Sequence, residues 1–574
     1  MNVDVAAAQG ADAIHLAFES YRRRFRQLTR RAQERFETRD WAGIRRLTVE
    51  RLDLHSKRIV KTLVLLRKQL GERLADKAVW AEMKERYTRS ILGRDDFELA
   101  QTFFNSLTRK AFAHAGVDPA IDYTSQELPL PYKGWELASA RLYLVRRVDA
   151  GVVRRILESA GLKAPFRDLE EDARLAAARI EHGLVESFHS AEIEALDVLR
   201  PVFIRNKAAY IVGRARRGAA VLPLVLAIHN EHGGLTVDAV VHTEDEASTV
   251  FSFARWYFHA DVDSPREVIG FLQSILPRKR ISELYISLGH HKHGKTEFYR
   301  DLMGQIAAER ERFVVAPGKR GLVMAVFTLP SYEFVFKIIR DVFPPTKHTT
   351  RREVMAKYRD VMRHDRVGRL VDFQEFEHVS FPRSRFSEPV LDELLGEAGR
   401  SVWLDGDDVV VAHMYVGRRV TPLDVYLRST AGKAAEAAVV NWGQALKDLA
   451  AANIFTGDVL LKNFGVTRHD RVVAYDYDEL RPLTACNFRR FPKSRDDQDD
   501  LAAEPWFSVA ENDVFPEELE TFLGLSGRLR EVFSNRHGDL FDVGIWHAMQ
   551  QRNHRGELID VFPYAESSRL RGPG

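Results

Sequence analysis

Residues 455–480 read FTGDVLLKNFGVTRHDRVVAYDYDEL. Asp458 and Asn463 stand in the D-x-x-x-x-N relation, and Asp476 follows Asn463 by thirteen residues at the end of the apolar run RVVAYD. Between them FGV and RVVAY, joined by the turn TRHD, predict a small hairpin. Phosphoryl transfer asks little covalent chemistry of a protein: the phosphates must be cradled, a metal held by carboxylates and an amide, and a base set beside the attacking hydroxyl. In that scheme Asp458 is the base or orienting carboxylate, and Asn463 and Asp476 are metal ligands. A D-x-x-x-x-N string is common by chance; the hairpin and the second aspartate give it weight.

Working outward, the segments before this stretch arrange themselves as a protein kinase would. RFVVAPGKRGLVMAVFTLP predicts strand, glycine-containing turn and strand; YEFVFKIIRDVF predicts a third strand; TTRREVMAKYRDVMRHD has helical spacing; SVWLDGDDVVVAHMYVGRRVTPLDVYL predicts two more strands; AAEAAVVNWGQALKDLAAANIF and nearly everything beyond 500 read as helix. Lys337 lies inside the apolar third strand, where an ammonium is costly unless an anion meets it, so it is expected on a phosphate. Glu353, on the helix that follows, is the candidate ion-pair partner. In APGKRGLVM (316–324) the backbone from Gly318 to Gly321, with Lys319 or Arg320 adding charge, is the candidate phosphate cradle. The expected class is α+β: a bilobal kinase-like domain over 311–574 (small lobe about 311–420, large lobe about 421–574) preceded by a mainly helical region, 1–310. Within that region 11 to about 215 read as helices, and mixed α/β starts near 217 with a hairpin (GAAVLPLVLAIHN, LTVDAVVHT), the helix SPREVIGFLQSIL, the strand ELYISL and the helix TEFYRDLMGQIAAERER.

Composition narrows the classes. The 574 residues allow two to four domains, and 85 basic against 82 acidic residues argue against nucleic-acid binding. The arginine-rich SYRRRFRQLTRRAQERF (20–36) reads as the solvated face of a helix. The single cysteine, Cys486, excludes an internal disulfide and favours a reducing, cytoplasmic setting. The longest apolar run, AAVLPLVLAI, is half what a bilayer span needs, and the N-terminus lacks a signal-peptide pattern, so no membrane partner is expected.

One string competes for the nucleotide. GHHKHGKT (289–296) satisfies G-x-x-x-x-G-K-[ST] letter for letter and lies between a predicted strand and helix, as a P-loop should. Yet the preceding elements read as a hairpin rather than a parallel sheet, so Lys295 and Thr296 are assigned to an ordinary helix start, with a regulatory anion site as the residual alternative. HHKH (290–293) reads as a solvated basic turn rather than a metal site.

APGKRGLVM, FTLPSYEFVFKIIRD, HDRVGRLVDFQEFE and AAANIFTGDVLLKNFGVTRHDRVVAYDYDEL together resemble the bacterial isocitrate dehydrogenase kinase/phosphatase family, over essentially the entire chain. The resemblance implies one site that phosphorylates a serine of isocitrate dehydrogenase and also removes the phosphate, sending isocitrate to the glyoxylate bypass or the citric acid cycle. It makes Lys337 the ATP-phosphate lysine, Asp458 the catalytic aspartate, Asn463 and Asp476 ligands of Mg2+ or Mn2+, and Asp478 an extra carboxylate tied to the phosphatase direction. Ala316, Pro317, Gly318, Lys319, Arg320, Gly321, Leu322 and Met324 would surround the ATP phosphates, and Met414, Tyr415 and Val416 would form the adenine hinge. AMP and ADP are implied as allosteric effectors, and a homodimer is compatible with the family. Thr456-Gly457-Asp458 replaces the His-Arg-Asp of ordinary kinases, which removes the arginine that docks a phosphorylated activation loop. Asp476-Tyr477-Asp478 replaces Asp-Phe-Gly, and the added carboxylate offers a way to position a hydrolytic water. Three alternatives stay open at this point: a small-molecule kinase of the aminoglycoside-phosphotransferase type, a haloacid-dehalogenase-type phosphatase with Asp476 as nucleophile, and a kinase-shaped scaffold without activity.

Overall fold

Ile14, Phe18, Tyr21, Phe25, Leu28, Ala32 and Phe36 recur every three or four residues and are all buried, so the chain opens on one long helix, α1 (Val3–Glu37). The computed structural model describes residues 3–113, 116–124, 138–252, 257–318, 320–345, 347, 349–457, 459–492, 507–557 and 561–571. Asp40 caps α2 (Trp41–Leu70) by accepting the Gly43 N–H at 2.7 Å, and α3 (Lys77–Ile91) and α4 (Phe97–Phe112) complete a helical layer. The arginines of α1 are not simply solvated: Arg22 is buried against Asp96 at 2.7 Å, and Arg26 and Arg30 grip Asp261.

The sheet of this half begins earlier than the sequence pattern indicates. Strands β1 (Ala140–Tyr143), β2 (Ala195–Leu199), β3 (Phe203–Arg205), β4 (Ala208–Arg217), β5 (Ala220–Glu231) and β6 (Gly234–Val241) form one antiparallel sheet in the order β1-β2-β4-β5-β6, with β3 on β4. Residues 195–199, 203–205 and 208–217 are therefore strands joined by short turns rather than helix. Both faces are covered: Leu224, Leu226 and Ile228 face α5 (Ala150–Ser159) and α6 (Leu169–Phe188), while Val225 and Ala227 face the helical layer. Burial on both sides turns strand alternation into a continuous apolar run, and this removes the usual signal. The chain continues through α7 (Glu244–Val250), α8 (Pro265–Ile275), α9 (Ile281–Ser287) and α10 (His291–Ala308). The expected strand ELYISL is thus helix α9. Glu283 accepts the Arg280 N–H at 3.0 Å to start it, and Leu284, Tyr285 and Leu288 are buried at helical spacing.

The second half holds a six-stranded antiparallel sheet of β7 (Val314–Val315), β8 (Met324–Thr328), β9 (Phe334–Ile339), β10 (Phe373–Pro382), β11 (Val402–Asp405) and β12 (Asp408–Arg418), ordered β7-β8-β9-β12-β10 with β11 on β12. Strand β10 is the one the sequence pattern misses; its FQEFEHVS alternation is broken by His378 at φ +50°. Helix α11 (Arg351–His364) joins β9 to β10 and packs with Ile339, Phe373 and Tyr415 on one face. Phe334, Phe336 and Val416 pack on the other, against α10 and α12 (Glu388–Glu397). After β13 (Thr421–Pro422) come α13 (Leu423–Ser429), α14 (Lys433–Ala451), β14 (Ile454–Phe455) and the hairpin β15 (Phe464–Val466)–β16 (Val472–Ala474); further on, α15 (Pro516–Phe522), α16 (Gly527–His537) and α17 (Val543–His554) close the second lobe. A sheet with one helix inserted before its fourth strand, followed by a mainly helical lobe, is the kinase-like arrangement, and the class is α+β. The C-terminal tail returns to the first sheet: Arg569 pairs with Asp238 at 2.9 Å and Arg571 with Asp172 at 2.6 Å.

Candidate active site

Lys337 sits mid-strand in β9, opposite Val326 of β8 and Tyr415 of β12. Strand alternation sends Phe336 and Ile338 toward α10 and α12, so Lys337 points the other way, into the space between the lobes. It is 7% exposed. Its Nζ donates to the Tyr475 carbonyl at 2.9 Å and lies 4.5 Å from the Phe373 ring centre. Burial lowers its pKa, while Asp476 and Asp478 pull in the opposite direction. A three-donor ammonium with one carbonyl partner retains capacity for an anion.

The two aspartates leave the β15–β16 hairpin on either side of Tyr477. That tyrosine is fully buried, 4.9 Å from Tyr358 and 5.5 Å from Phe373 ring to ring, and its hydroxyl donates to the Val371 carbonyl. Asp478 carries the signature of a site. Burial, then the neighbouring Asp476 charge, pushes its carboxyl up to about 7, against the pull of Lys337 and Lys347. Its Oδ1 is buried without a hydrogen-bond partner among the described residues. The backbone here is tied down: Lys357 of α11 donates to the Asp478 carbonyl, and Lys347 pairs with Glu479 at 2.5 Å. Asn463 is held next to the pair, because its carbonyl accepts the Tyr475 N–H at 3.1 Å. Asp458 lies outside the described residues. The glycine before it has φ +71°, and a Cβ there would fall 2.5 Å from Glu479 Cβ, so the chain entering that position is pressed against the Asp476–Glu479 segment.

Among the described residues no three His, Cys, Asp or Glu side chains converge on one point. A divalent ion would rest on two carboxylates and the Asn463 amide, hard oxygen donors of the kind Mg2+ or Mn2+ takes together with phosphate oxygens. The buried, unpartnered Asp478 oxygen beside a second carboxylate is what such a cation would relieve, so the residues fit the group.

Several sequence expectations need correction. Glu353 is not the lysine's partner: it is exposed, and its carboxylate accepts the Thr350 N–H at 2.8 Å, capping its own helix. One turn later Lys357, not an acid, faces the site. Arg320 pairs with Glu393 and Glu397 of α12, which also take Arg340, so it is diverted from the phosphates. Lys319 lies outside the described residues. Pro317, Gly318, Gly321 and Leu322 form an exposed turn that begins where the Ala316 N–H meets the Val326 carbonyl at 3.0 Å; Met324 is already in β8. Met414, Tyr415 and Val416 are not the end of a strand. Tyr415 pairs with both Lys337 and Glu375, Val416 with both Phe336 and Gln374, and Met414 with Phe376, so their peptides belong to the ladder. The chain leaves the sheet only after Arg418.

GHHKHGKT is no P-loop. Helix α9, not a strand, precedes it; His291 already begins α10, and the Gly294 N–H is taken by the His290 carbonyl at 2.9 Å. Nor is HHKH a solvated turn, since His290, His291 and His293 are all buried. The reading of Asp476 as a haloacid-dehalogenase nucleophile fails on topology, because β16 belongs to a three-stranded antiparallel sheet. Sequence inspection missed Lys347, Lys357 and Tyr477 as site components. Only Tyr477, an aromatic in the place of the kinase phenylalanine, left a local signal.

Comparison with known proteins agrees with this geometry. The isocitrate dehydrogenase kinase/phosphatase (AceK) kinase-domain family model matches residues 311–566, and the regulatory-domain model of the same family matches 11–310. A protein of Anaeromyxobacter sp. (strain Fw109-5) named isocitrate dehydrogenase kinase/phosphatase is 50% identical over 567 residues, covering 99% of this chain and 98% of the relative. One of the same name from Anaeromyxobacter dehalogenans (strain 2CP-C) is 47% identical over 578 residues, covering 99% and 98%.

Proposed function

We propose that this chain, which belongs to the isocitrate dehydrogenase kinase/phosphatase family, is a bifunctional protein serine kinase and phosphoprotein phosphatase that acts on isocitrate dehydrogenase through one ATP and metal site. The observation that carries the reading is the buried lysine of β9 facing two aspartates, one with an unpartnered buried oxygen. Lys337 orients the phosphates of ATP, and Asp476, Asp478 and Asn463 hold a divalent ion that, when bound, neutralises charge on the transferring phosphoryl group. In the kinase direction the substrate serine oxygen displaces ADP from the γ-phosphorus and Asp458 takes its proton. In the phosphatase direction water attacks the phosphoserine phosphorus; Asp478 positions that water, inorganic phosphate leaves and the serine oxygen regains a proton. Tyr477, locked against Tyr358 and Phe373, keeps the two carboxylates on the cleft side.

The finer reading takes Mg2+ or Mn2+ as the ion, AMP and ADP as allosteric effectors, residues 1–310 as the regulatory region and 311–574 as the catalytic one. It further takes the enzyme as a cytoplasmic homodimer with neither nucleic acid nor membrane as partner. Among the described residues no helix is long and apolar enough to cross a membrane.

The test is Asp478→Ala with isocitrate dehydrogenase and labelled ATP. The loss of label release is expected to exceed the loss of label incorporation by at least about tenfold. Equal losses would overturn the assigned division of labour.

A further inference from the structure

The two aspartates of Asp476-Tyr477-Asp478 are held by different parts of the fold. Before Asp476, Tyr475 donates its N–H to the Asn463 carbonyl at 3.1 Å and its hydroxyl to the Lys462 carbonyl, and its own carbonyl accepts Lys337 Nζ at 2.9 Å. Asp476 is therefore registered by β9 and by the residues entering β15. Past Tyr477 the holds change. Lys357 of α11 donates to the Asp478 carbonyl, and Lys347, four residues before α11 begins, pairs with Glu479 at 2.5 Å. Tyr358, next to Lys357, packs its ring 4.9 Å from Tyr477. Residues 477, 478 and 479 are thus each gripped by α11 or by the segment leading into it.

Nothing at its buried oxygen orients the Asp478 carboxylate: Oδ1 has no hydrogen-bond partner among the described residues. Its direction follows from where its backbone is set. On the side away from α11 that backbone has no room, because a Cβ on Gly457 would lie 2.5 Å from Glu479 Cβ and 2.7 Å from the Glu479 carbonyl oxygen. In ordinary kinases the corresponding helix reaches the cleft through a glutamate paired with the strand lysine. Here Glu353 is exposed and caps its own helix, and α11 reaches the cleft through a lysine on the second aspartate instead.

We infer that Lys357 is a positioning residue for dephosphorylation: by holding the Asp478 carbonyl it aims the Asp478 carboxylate at the attacking water, with Lys347 as a second grip. Asp476 and Lys337 keep their places through β9 and β15, so the placement of α11 changes hydrolysis more than it changes phosphate transfer. The inference rests on the role proposed above for Asp478.

The experiment measures label incorporation into isocitrate dehydrogenase and label release from it, with kcat and KM separated, for the full chain, Lys357→Met, Lys357→Arg, Asp478→Ala and the double variant Lys357→Met/Asp478→Ala. Lys357→Met is expected to slow release about tenfold more than incorporation, through kcat, with KM for the phosphorylated substrate within about twofold. Lys357→Arg, which can donate to the same carbonyl, should bring release back to within about threefold of the full chain. In the Asp478→Ala background, Lys357→Met should slow release no more than incorporation, because the group it places is gone. Equal slowing of both directions by Lys357→Met, or a further selective loss of release in the double variant, would overturn the inference and leave the role of Asp478 standing. Equal slowing by Asp478→Ala would instead overturn the proposed division of labour, and the inference with it. Lys347→Met keeps the test decisive if Lys357→Met folds poorly: a loss of release about threefold greater than that of incorporation supports the inference, and equal losses overturn it.

Discussion

Two lysines of this chain sit in nearly matching surroundings, and the function proposed above gives only one of them to the phosphate chemistry. Lys295, in GHHKHGKT, donates to the Glu375 carbonyl and lies 5.4 Å from the Phe376 ring; Lys337 donates to the Tyr475 carbonyl and lies 4.5 Å from the Phe373 ring. The first carries a complete P-loop signature, the second no motif beyond an apolar strand. What separates them is backbone and neighbours. Around Lys295 the amide of Gly294 is spent inside a helix, whereas Lys337 faces two aspartates across the cleft. A phosphate site is made by free donors and metal-holding acids around the lysine, not by the letters on either side of it.

The comparison breaks most visibly if the two lysines are exchanged in effect. Lys337→Met is expected to slow single-turnover phosphate transfer by about 10²–10³-fold, the scale of removing one preorganised electrostatic donor. Lys295→Met should leave ATP affinity and turnover within about threefold. Fluorescent-nucleotide binding and labelled transfer read both quantities. ATP binding lost with Lys295 and kept without Lys337 would reverse the assignment.

Much of the kinase half was legible because its elements are short, bounded by turn residues and spaced by the chemistry: D-x-x-x-x-N, a hairpin, then Asp476. Strand β10 was not, because His378 at positive φ interrupts its alternation and its ladder partners among the described residues all lie on β12, beyond an intervening helix and strand. The same distance hid the site's basic side chains. Lys347 and Lys357 reach Glu479 and Asp478 from more than 120 residues earlier in the chain, and only folding shows that the helix position where an acid was expected holds Lys357. In the N-terminal half the failures share one cause. A sheet covered on both faces reads as an apolar run, and α9, seven residues long, is too short to show its period.

The histidines of the P-loop-like string sharpen the contrast further, through acid. Burial holds His293 at about 3, and His55 of α2 at about 3, far below the usual imidazole range. Glu297 lies 3.6 Å from His293 but is itself paired with Arg300 at 2.8 Å, so burial wins. In the unfolded chain both rings titrate near 6.5. Between 6.5 and 3 the unfolded state therefore binds the extra protons, and stability falls as pH drops through that window. At pH 5.5 each ring is expected to cost about 1.4 kcal/mol relative to pH 7.5. Urea unfolding at the two pH values, with His293→Gln to remove one ring's share, measures it. A solvated turn would give no such slope.

Two glycines divide the strings in the same way. A Cβ on Gly294 would lie 2.4 Å from Ile286 Cγ1 and 2.7 Å from the Ser282 carbonyl, so this glycine lets α10 close on α9. Gly294→Ala should lower stability by about 1–3 kcal/mol by overpacking, with turnover per folded molecule retained. Gly457→Ala forces a Cβ against Glu479 at φ +71°, a strain of about 1–3 kcal/mol placed one residue before Asp458 and beside the carboxylates proposed to hold the metal. It should therefore reduce kcat as well as the melting temperature. Equal ratios of activity to stability loss in the two variants would erase the distinction.

The smallest effect belongs to the last letter of the string. In a P-loop the threonine hydroxyl is a magnesium ligand, and its removal abolishes metal-nucleotide binding. Here the Thr296 hydroxyl donates to the Lys292 carbonyl at 3.2 Å, one turn back in α10, a bond that helical side chains make at little net gain. Thr296→Ala is then expected to change stability by less than about 0.5 kcal/mol, because alanine's better helix propensity offsets the lost bond. The Mg2+ concentration that half-saturates ATP turnover should be unchanged, whereas Asp476→Asn should raise it. A shift of that concentration in Thr296→Ala would place a metal at α10, and no arrangement of the acids around Lys337 could account for it.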